Sequence, residues 1–342
     1  MDLSTTYMGL SLKNPIVPSA SPLTRELDTI RLMEDNGASA VVMHSLFEEQ
    51  ISDESRELDH YLNYGCDCTA EALTYFPEMQ SYNVGPDDYL NTISRAKQAV
   101  EIPIIASLNG QTAGGWLEYA SEIERAGADA LELNIYIVPT DPDLDSAGLE
   151  QMYLDIVHKV AGEVSIPVAV KLPASFSTPV NMSRRLHASG AAALVLFNHG
   201  HVNDFDLTEL EVVARPVLSS SRDLRIPLAW TAILFGQTEA DLALSGGIHN
   251  HEDALKGLMA GASVTMLASE LLTNGVGRLS AILTGIETWM QENEYESVQQ
   301  MRGSMSRMHV ADPQVFERKN YMHVLSSWRQ DPAGAHGHHK AL

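Results

Sequence analysis

Short apolar runs recur along the chain, and several closely follow the dipeptide Gly-Ala. The glycines of these phrases are Gly37, Gly127, Gly190 and Gly261. Glycine suits the residue after a helix, where φ is often positive. A short apolar run without alternating polar residues is typical of a strand that is buried on both faces. The pattern therefore predicts repeated steps from a helix into a buried strand.

The apolar runs predict eight strands, most of them separated by amphipathic or capped helical segments. The strands are predicted to begin near Ile16, Ala40, Ile104, Ala130, Val168, Ala193, Leu242 and Val264. The helices are predicted over 24–36, 114–126, 147–162, 178–189 and 250–260. Such alternation implies a parallel sheet, and eight repeats close it into an α/β fold of the (β/α)8 TIM barrel type. A doubly wound open sheet is the alternative, but no Gly-x-Gly-x-x-Gly follows the first strand.

The predicted barrel forms one domain over 1–330. Its connections 47–100 and 198–227 are long and follow strands on the side where barrel active sites are built, so we expect both to cover a ligand. We expect 316–328 to form a terminal helix packed on the barrel. Residues 331–342 lack apolar periodicity and are predicted to be a disordered tail.

Charge and composition exclude several classes of function. The chain has 45 acidic and 22 basic residues, a formal charge of -23, which disfavours nucleic-acid and anionic-membrane partners. No leader peptide or apolar run of spanning length is evident, and Cys66 and Cys68 are the two cysteines, so we expect a reducing cytoplasm. We interpret them as unpaired loop thiols, because no second thiol pair completes a metal or redox site. No metal is expected.

Polar residues and glycines end nearly every predicted strand. In a parallel barrel these carboxyl ends build the active site, and a buried polar group without a partner costs several kcal/mol. A ligand is therefore expected to satisfy them. The strand-end residues include Ser19, Ala20, Ser21, His44, Ser45, Asn109, Asn134, Lys171, Asn198, His199, Ser245, Gly246, Gly247, Ala268 and Ser269.

Two neighbouring strand ends match the phosphate site of barrels. Ser245-Gly246-Gly247 and Ala268-Ser269 each precede a predicted helix, so their backbone N–H groups are candidates to hold an anion. A plain tight turn is the alternative. Lys171 directly follows a buried strand, and its ammonium is expected to face an anion in the barrel mouth, such as reduced flavin, a phosphate or a carboxylate. Otherwise it extends to water.

Amides and imidazoles supply further candidates. Asn83, Asn109, Asn134 and Asn198 each offer a donor and an acceptor to a heterocycle, although any one of them suits a turn or helix cap. His44 and His199 are candidates for proton transfer or cofactor contact, with a structural role as the alternative for His44. We interpret His201, His249 and His251 as solvated loop residues.

Five ordered motifs resemble the dihydroorotate dehydrogenase family over about 3–275. They are MGLSLKNPIVPSASP from Met8, Glu132-Leu133-Asn134, Val170-Lys171-Leu172-Pro173, Ser245-Gly246-Gly247-Ile248, and Gly261 through Ser269. The resemblance implies flavin mononucleotide (FMN), a homodimer and a small-molecule substrate, and it leaves the electron acceptor open.

The resemblance also implies roles for individual residues. Ala20 and Ser21 would touch the isoalloxazine, and Lys171 would sit by its N1. Asn134 and Asn198 would line flavin and substrate, and Asn83 would belong to the substrate loop. Gly246, Gly247, Ala268 and Ser269 would hold the phosphate, and Ser45, Asn109 and Ser245 complete the expected cofactor set.

The chain departs from this family on the substrate side. Ile137 stands where the family has a Cys or Ser base, Pro139 stands near the place of a substrate asparagine, and His44 replaces a lysine beside the flavin. Leu218-Ser219-Ser220-Ser221 replaces a Gly-rich loop. Losing the base is expected to cost about 10²- to 10⁴-fold in rate, and we expect Tyr136, His44 or His199 to replace it.

The expected function is FMN-dependent oxidation of a CH–CH bond in dihydroorotate or a related small cyclic molecule, by a divergent member of the group. One alternative is a barrel lyase or synthase without flavin, in which Lys171 forms a Schiff base. The other is a flavin-binding partner protein without catalysis of its own.

Overall fold

The computed structural model describes residues 1–49, 86–110, 113–198, 203–213 and 217–327. Eight strands within these ranges form one parallel sheet. They are β1 (Ile16–Pro18), β2 (Val41–Phe47), β3 (Ile104–Gly110), β4 (Ala130–Ile135), β5 (Val168–Leu172), β6 (Ala193–Leu196), β7 (Asp241–Ser245) and β8 (Val264–Leu267). Each begins within one residue of its predicted start.

Strand pairing makes this sheet a barrel. The order is β1-β8-β7-β6-β5-β4-β3-β2, so the first and last strands of the chain are neighbours. At the seam between β1 and β2, Ser39 donates to the Ile16 carbonyl through its backbone N (3.1 Å) and through its Oγ (2.9 Å). The predicted (β/α)8 barrel is confirmed, and the open doubly wound sheet is excluded.

Helices separate the strands and cover the sheet. They are α1 (Leu27–Asp35), α2 (Pro86–Ala99), α3 (Ala113–Arg125), α4 (Ser146–Glu163), α5 (Pro179–Ala188), α6 (Arg225–Leu234), α7 (His251–Ala260), α8 (Ser269–Asn274), α9 (Arg278–Glu292), α10 (Val298–Met301) and α11 (Arg318–Ser327). The five predicted helices are confirmed to within about three residues. The glycines after α1, α3, α5 and α7 have the positive φ that commonly ends a helix.

The core has two layers. Apolar side chains between strands and helices form the larger one. Inside the barrel, small side chains such as Ala130, Ala169 and Ala243 leave room for a hairpin formed by Thr5–Tyr7 and Leu10–Leu12. Its Met8 N donates to the Asp241 carboxylate at 2.9 Å, at the first residue of β7. The hairpin therefore closes the amino-terminal end of the barrel and leaves the carboxyl end as the mouth.

The terminal helix does not pack as expected. Its existence is confirmed by α11, but Tyr321, Met322, Val324 and Leu325 are 67%, 73%, 56% and 61% exposed. Among the described elements, α11 packs mainly against the adjacent turn Pro313–Phe316 rather than against the barrel. The expectation that this segment covers the barrel wall is therefore wrong for these four side chains.

Some expectations fall outside the described residues. These are Cys66, Cys68, Asn83, His199 and the tail 331–342. In the part of the chain that the structure describes, no helix has both the length and the apolar character needed to cross a membrane.

Candidate active site

Strand register brings three predicted residues into one row at the mouth. Asn109 on β3 pairs with Asn134 on β4, which pairs with Lys171 on β5. Alternate residues of a strand face the same side, so Glu132 shares the face of Asn134. Asn134 and Lys171 are 7% and 6% exposed. Two residues of the row are therefore buried and Asn109 is half-buried, as expected of a site that a ligand completes.

Lys171 extends into the barrel. Its Nζ donates to Ser19 Oγ at 3.3 Å and lies 3.5 Å from Glu132 Oε1. The alternative in which this lysine extends to water is wrong, because Glu132 and Ser19 hold the ammonium in the interior. Ser19 belongs to the predicted strand ends, but we expected Ala20 and Ser21, rather than Ser19, to contribute.

Two amides meet beside this lysine. Asn198 Nδ2 donates to Asn134 Oδ1 at 3.0 Å, and Asn198 N donates to the Leu172 carbonyl at 2.7 Å. The remaining polar side-chain atoms of the pair, Asn134 Nδ2 and Asn198 Oδ1, are a donor and an acceptor. This combination suits a heterocycle with alternating N–H and C=O groups.

The other residues expected to touch the ring lie at the same end of the barrel. Ser45 Oγ and Ser107 Oγ are 2.9 Å apart between β2 and β3. Ser21 is buried, and its carbonyl accepts from Thr24 N and Thr24 Oγ1. Ala20 and Asn109 are half-buried. The structure therefore gathers these residues at the mouth.

His44 lies in an irregular part of β2, where the register with β3 shifts between Val42 and Ser45. Such bulges re-aim side chains. Its backbone N donates to Thr24 Oγ1 at 2.6 Å, and its ring meets Tyr89 edge to face at 5.0 Å between centroids. Nδ1 has no hydrogen-bond partner among the described residues. Burial, and secondarily the charge of Arg25, lowers the pKa of His44 to about 4, so the ring is neutral at neutral pH.

The loop after β7 has the backbone expected of the phosphate site. Gly246 and Gly247 have φ values of 96° and 83°, which L side chains rarely adopt. A Cβ on Gly247 would lie 2.3 Å from Leu224 N, whereas a Cβ on Gly246 would meet no atom within 4 Å. The loop therefore packs closely on one side and is open at Gly246.

Ser219 joins the two predicted phosphate loops. Its N donates to Ser269 Oγ at 3.0 Å, and its Oγ accepts from Gly247 N at 3.4 Å. These contacts confirm that Ser245-Gly246-Gly247 and Ala268-Ser269 lie side by side. Ser219 belongs to the segment that we noted only as a departure from a Gly-rich loop, and the sequence gives no local signal for its contacts.

His249 lies in a loop, as expected, but it is half-buried and belongs to a hydrogen-bond network, so its interpretation as a solvated residue is wrong. Its Nδ1 lies 3.1 Å from Glu270 Oε2 and its Nε2 lies 3.3 Å from Ser219 Oγ. Arg278 Nε and Asn274 Nδ2 also donate to Glu270. Burial alone would raise the pKa of Glu270, but the hydrogen bonds from Arg278, His249 and Asn274 outweigh it and lower that pKa. Through Ser219, the network connects His249 to the two predicted phosphate loops.

The remaining histidine and base expectations concern His251, His201, Tyr136 and Ile137. His251 begins α7 rather than lying in a loop, and His201 lies outside the described residues. Tyr136 and Ile137 follow β4 and are half-buried, with Ile137 packed against the main core.

Comparison with known proteins identifies the class. A model of the family described as dihydroorotate dehydrogenase matches residues 77–290. Since that is more than half of the chain, the chain belongs to this family of oxidoreductases, which act on a CH–CH bond and imply a flavin cofactor. The resemblance inferred from five motifs is thus confirmed.

Two relatives show how far the similarity extends. The chain is 26% identical over 315 residues to the dihydroorotate dehydrogenase B (NAD(+)) catalytic subunit of Thermoplasma acidophilum, covering 88% of this chain and 98% of the relative. It is 28% identical over 315 residues to a putative dihydroorotate dehydrogenase A (fumarate) of Aeropyrum pernix, covering 90% and 98%. The similarity therefore spans nearly the whole length of both relatives.

Proposed function

We propose that this protein is an FMN-dependent oxidoreductase that takes hydride from a CH–CH bond of dihydroorotate or a related small cyclic substrate. The observation that carries the proposal is the buried ammonium of Lys171 at the mouth, in register with Asn134 and Asn109. A cation held out of water favours an electron-rich partner. The family membership of the chain supports a flavin as that partner.

The residues present fit the phosphate of FMN. The open side of Gly246, the positive φ of Gly246 and Gly247, and the hydroxyls of Ser245 and Ser269 form a polar cradle of the kind that binds phosphate in barrels. Ala268 completes this set. With a formal charge of -23 on the chain, local amides and hydroxyls rather than the overall field must hold such an anion.

The ring system of the flavin would lie over the row formed by Asn109, Asn134 and Lys171. Residues proposed to contact it are Ala20, Ser21, Ser45, Asn109, Asn134, Lys171 and Asn198. A bound flavin supplies the hydride acceptor at N5. Asn134 and Asn198 would also orient the substrate, because their hydrogen bond fixes both amides, and Asn83 is proposed as a third substrate ligand.

The substrate proton requires an acceptor other than Ile137, since an aliphatic side chain cannot accept a proton. Tyr136, His44 and His199 are the proposed substitutes. His44 is neutral and buried, and its Nδ1 has no hydrogen-bond partner among the described residues. These properties suit a proton acceptor in form, although a pKa of about 4 makes it a weak base near pH 7.

The test of the cofactor begins with the purified protein. We expect heat to release one FMN per chain and dihydroorotate to bleach the flavin band under anaerobic conditions. Lys171→Met should weaken FMN binding at least tenfold, whereas Lys256→Met, which removes an exposed lysine on α7, should leave it unchanged. Colourless protein that does not take up added FMN would refute the proposal.

A second experiment addresses the proton acceptor and the electron acceptor. His44→Phe, Tyr136→Phe and His199→Ala are compared for the rate of anaerobic flavin reduction, and unchanged rates in all three would reject the proposed substitutes. The names of the relatives specify NAD(+) and fumarate for those proteins. Reoxidation of the reduced protein by each compound tests the electron acceptor. The mass of the protein in solution tests the proposed homodimer.

A further inference from the structure

Glu132 is a buried carboxylate to which the proposed function assigns no task. It lies on β4 one layer below Asn134, in register with Ser107 and Ala169, and it is 1% exposed. Neither of its oxygens has a hydrogen-bond partner among the described residues. Its charge partner there is Lys171, whose Nζ lies 3.5 Å from Oε1.

Such a pair is costly to bury. A carboxylate taken out of water loses its hydration, and a buried ion pair recovers this cost only when further hydrogen bonds satisfy its remaining lone pairs. Glu132 has no such bonds within the described part of the chain. An ion pair of this kind contributes little net stability, so its position suggests a role in the chemistry of the mouth.

The surroundings of Glu132 place its charge inside the barrel, between Lys171 and the hairpin. On the mouth side, the ammonium of Lys171 also contacts Ser19 Oγ. On the opposite side lies Tyr7 of the hairpin, whose pKa is raised by burial and also by the charges of Glu132 and Asp241. Burial and, less strongly, the charge of Glu132 also raise the pKa of Tyr89, but Lys171 is the charged group with which Glu132 pairs.

We propose that Glu132 is a positioning residue that holds the Lys171 ammonium inside the barrel mouth and offsets its charge, so that the electron-rich edge of a bound flavin faces less than one full positive charge. This inference rests on the proposed function, because it concerns a bound flavin. Its consequence is a lower reduction potential than Lys171 alone would give, since negative charge near the ring opposes electron uptake.

The decisive variant is Glu132→Gln, because glutamine removes the charge but keeps an oxygen that accepts from Lys171. At a fixed solution potential we expect the ratio of reduced to oxidised flavin to rise at least tenfold, which is about 30 mV for a two-electron couple. Lys171→Met should shift the ratio in the opposite direction. Glu150→Gln, which breaks an ion pair with Arg185 between outer helices, is the matched control and should change the ratio less than twofold.

The double variant separates a direct effect from one that acts through the lysine. In the Lys171→Met background we expect Glu132→Gln to change the ratio less than threefold, because the part of its effect that operates through the position of the ammonium is then absent. An equal shift in both backgrounds would refute the role of Lys171. If Glu132→Gln does not fold, Glu132→Met replaces it. Glu132→Asp keeps the negative charge, so its ratio of reduced to oxidised flavin should stay within threefold of the wild-type ratio.

Unfolding of the flavin-free protein provides a readout that does not need the cofactor. Lys171→Met should destabilise it more than the double variant does, because the single change leaves a lone buried carboxylate. Wild-type protein that binds no flavin would refute both the proposed function and this inference. Bound flavin whose reduced fraction does not respond to Glu132→Gln would overturn this inference alone.

Discussion

The imidazole of His44 makes stability depend on pH. Its folded pKa is about 4, against about 6.5 in an unfolded chain. Between these two values the unfolded state binds a proton that the folded state does not bind, so the free energy of unfolding decreases as the pH falls from about 6.5 to 4. The shift corresponds to about 3 kcal/mol.

Substitution of His44 isolates this contribution. His44→Phe preserves an aromatic contact with Tyr89. We measure urea unfolding at pH 6.5 and pH 4.5, and we expect the free energy of unfolding to decrease less between these pH values in His44→Phe than in the wild type. His158→Phe, at an exposed position of α4, controls for the loss of a histidine as such. Identical pH dependence in the wild type and His44→Phe would contradict the burial of a neutral ring.

Two fully buried tyrosines differ in how their hydroxyls are satisfied. Tyr7 OH has no hydrogen-bond partner among the described residues, whereas Tyr89 OH donates to the Ser107 carbonyl at 3.1 Å and accepts from Ser107 N at 2.8 Å. A buried polar group that makes no hydrogen bond is destabilising, and one that makes two is not. The same substitution should therefore have opposite effects at the two positions.

We expect Tyr7→Phe to raise the free energy of unfolding by about 1 kcal/mol and Tyr89→Phe to lower it by about 1–3 kcal/mol. Each variant serves as the control for the other, since both remove one hydroxyl from a buried ring. The measurement is chemical denaturation of the flavin-free protein. A loss of stability in Tyr7→Phe equal to that in Tyr89→Phe would show that Tyr7 OH has a partner.

At the level of elements, the glycine loop after β7 combines two separate constraints. Both glycines have positive φ, which costs an L residue about 1–2 kcal/mol. At Gly247 a Cβ would also lie 2.3 Å from Leu224 N and 2.7 Å from Leu224 Cα. Since backbone atoms cannot move as a flexible side chain does, the turn Ser221–Leu224 would have to shift.

Alanine substitutions distinguish these constraints. Gly246→Ala should cost about 1–2 kcal/mol of stability, and Gly247→Ala should exceed it by at least about 1 kcal/mol because of the clash. Gly246→Ala should also weaken FMN binding, because the added methyl group would occupy the open side of the loop, where we propose that the phosphate binds. Equal losses of stability in both variants would contradict the close packing on Leu224.

The elements were more predictable than the contacts between them. Strands buried on both faces appear in the sequence as apolar runs, and the glycines after helices mark where each run begins, so all eight strands were located within one residue. The network of Ser219, His249 and Glu270 depends on pairs such as Ser219 and Ser269, 50 residues apart. No local pattern encodes such pairs.

Glu132 is an intermediate case. Glu132 is an acidic residue inside the apolar run that begins at Ala130. Because alternate residues of a strand face the same side, the sequence places Glu132 on the same face as Asn134. The motif Glu132-Leu133-Asn134 was noted for its resemblance alone. Its pairing with Lys171 required the register between β4 and β5, which the sequence does not specify.

On the scale of the whole molecule, the formal charge of -23 opposes compaction. Like charges on a folded surface repel one another more strongly than in an expanded chain, and salt shortens the range of that repulsion from about 30 Å at 0.01 M to about 10 Å at 0.1 M. Exposed ion pairs such as Arg31 with Asp28 lose strength with salt as well, but each is worth at most about 1 kcal/mol.

We therefore expect the melting temperature to rise by about 2 °C or more between 0.01 M and 0.2 M NaCl, measured on the flavin-free protein so that cofactor binding does not contribute. KCl should give the same rise, because screening does not depend on the identity of the cation. Glu287→Lys, at an exposed position of α9, reduces the net charge and should make the rise smaller. A melting temperature that falls with added salt would mean that favourable ion pairs, rather than the excess of acidic residues, dominate the electrostatics of the folded barrel.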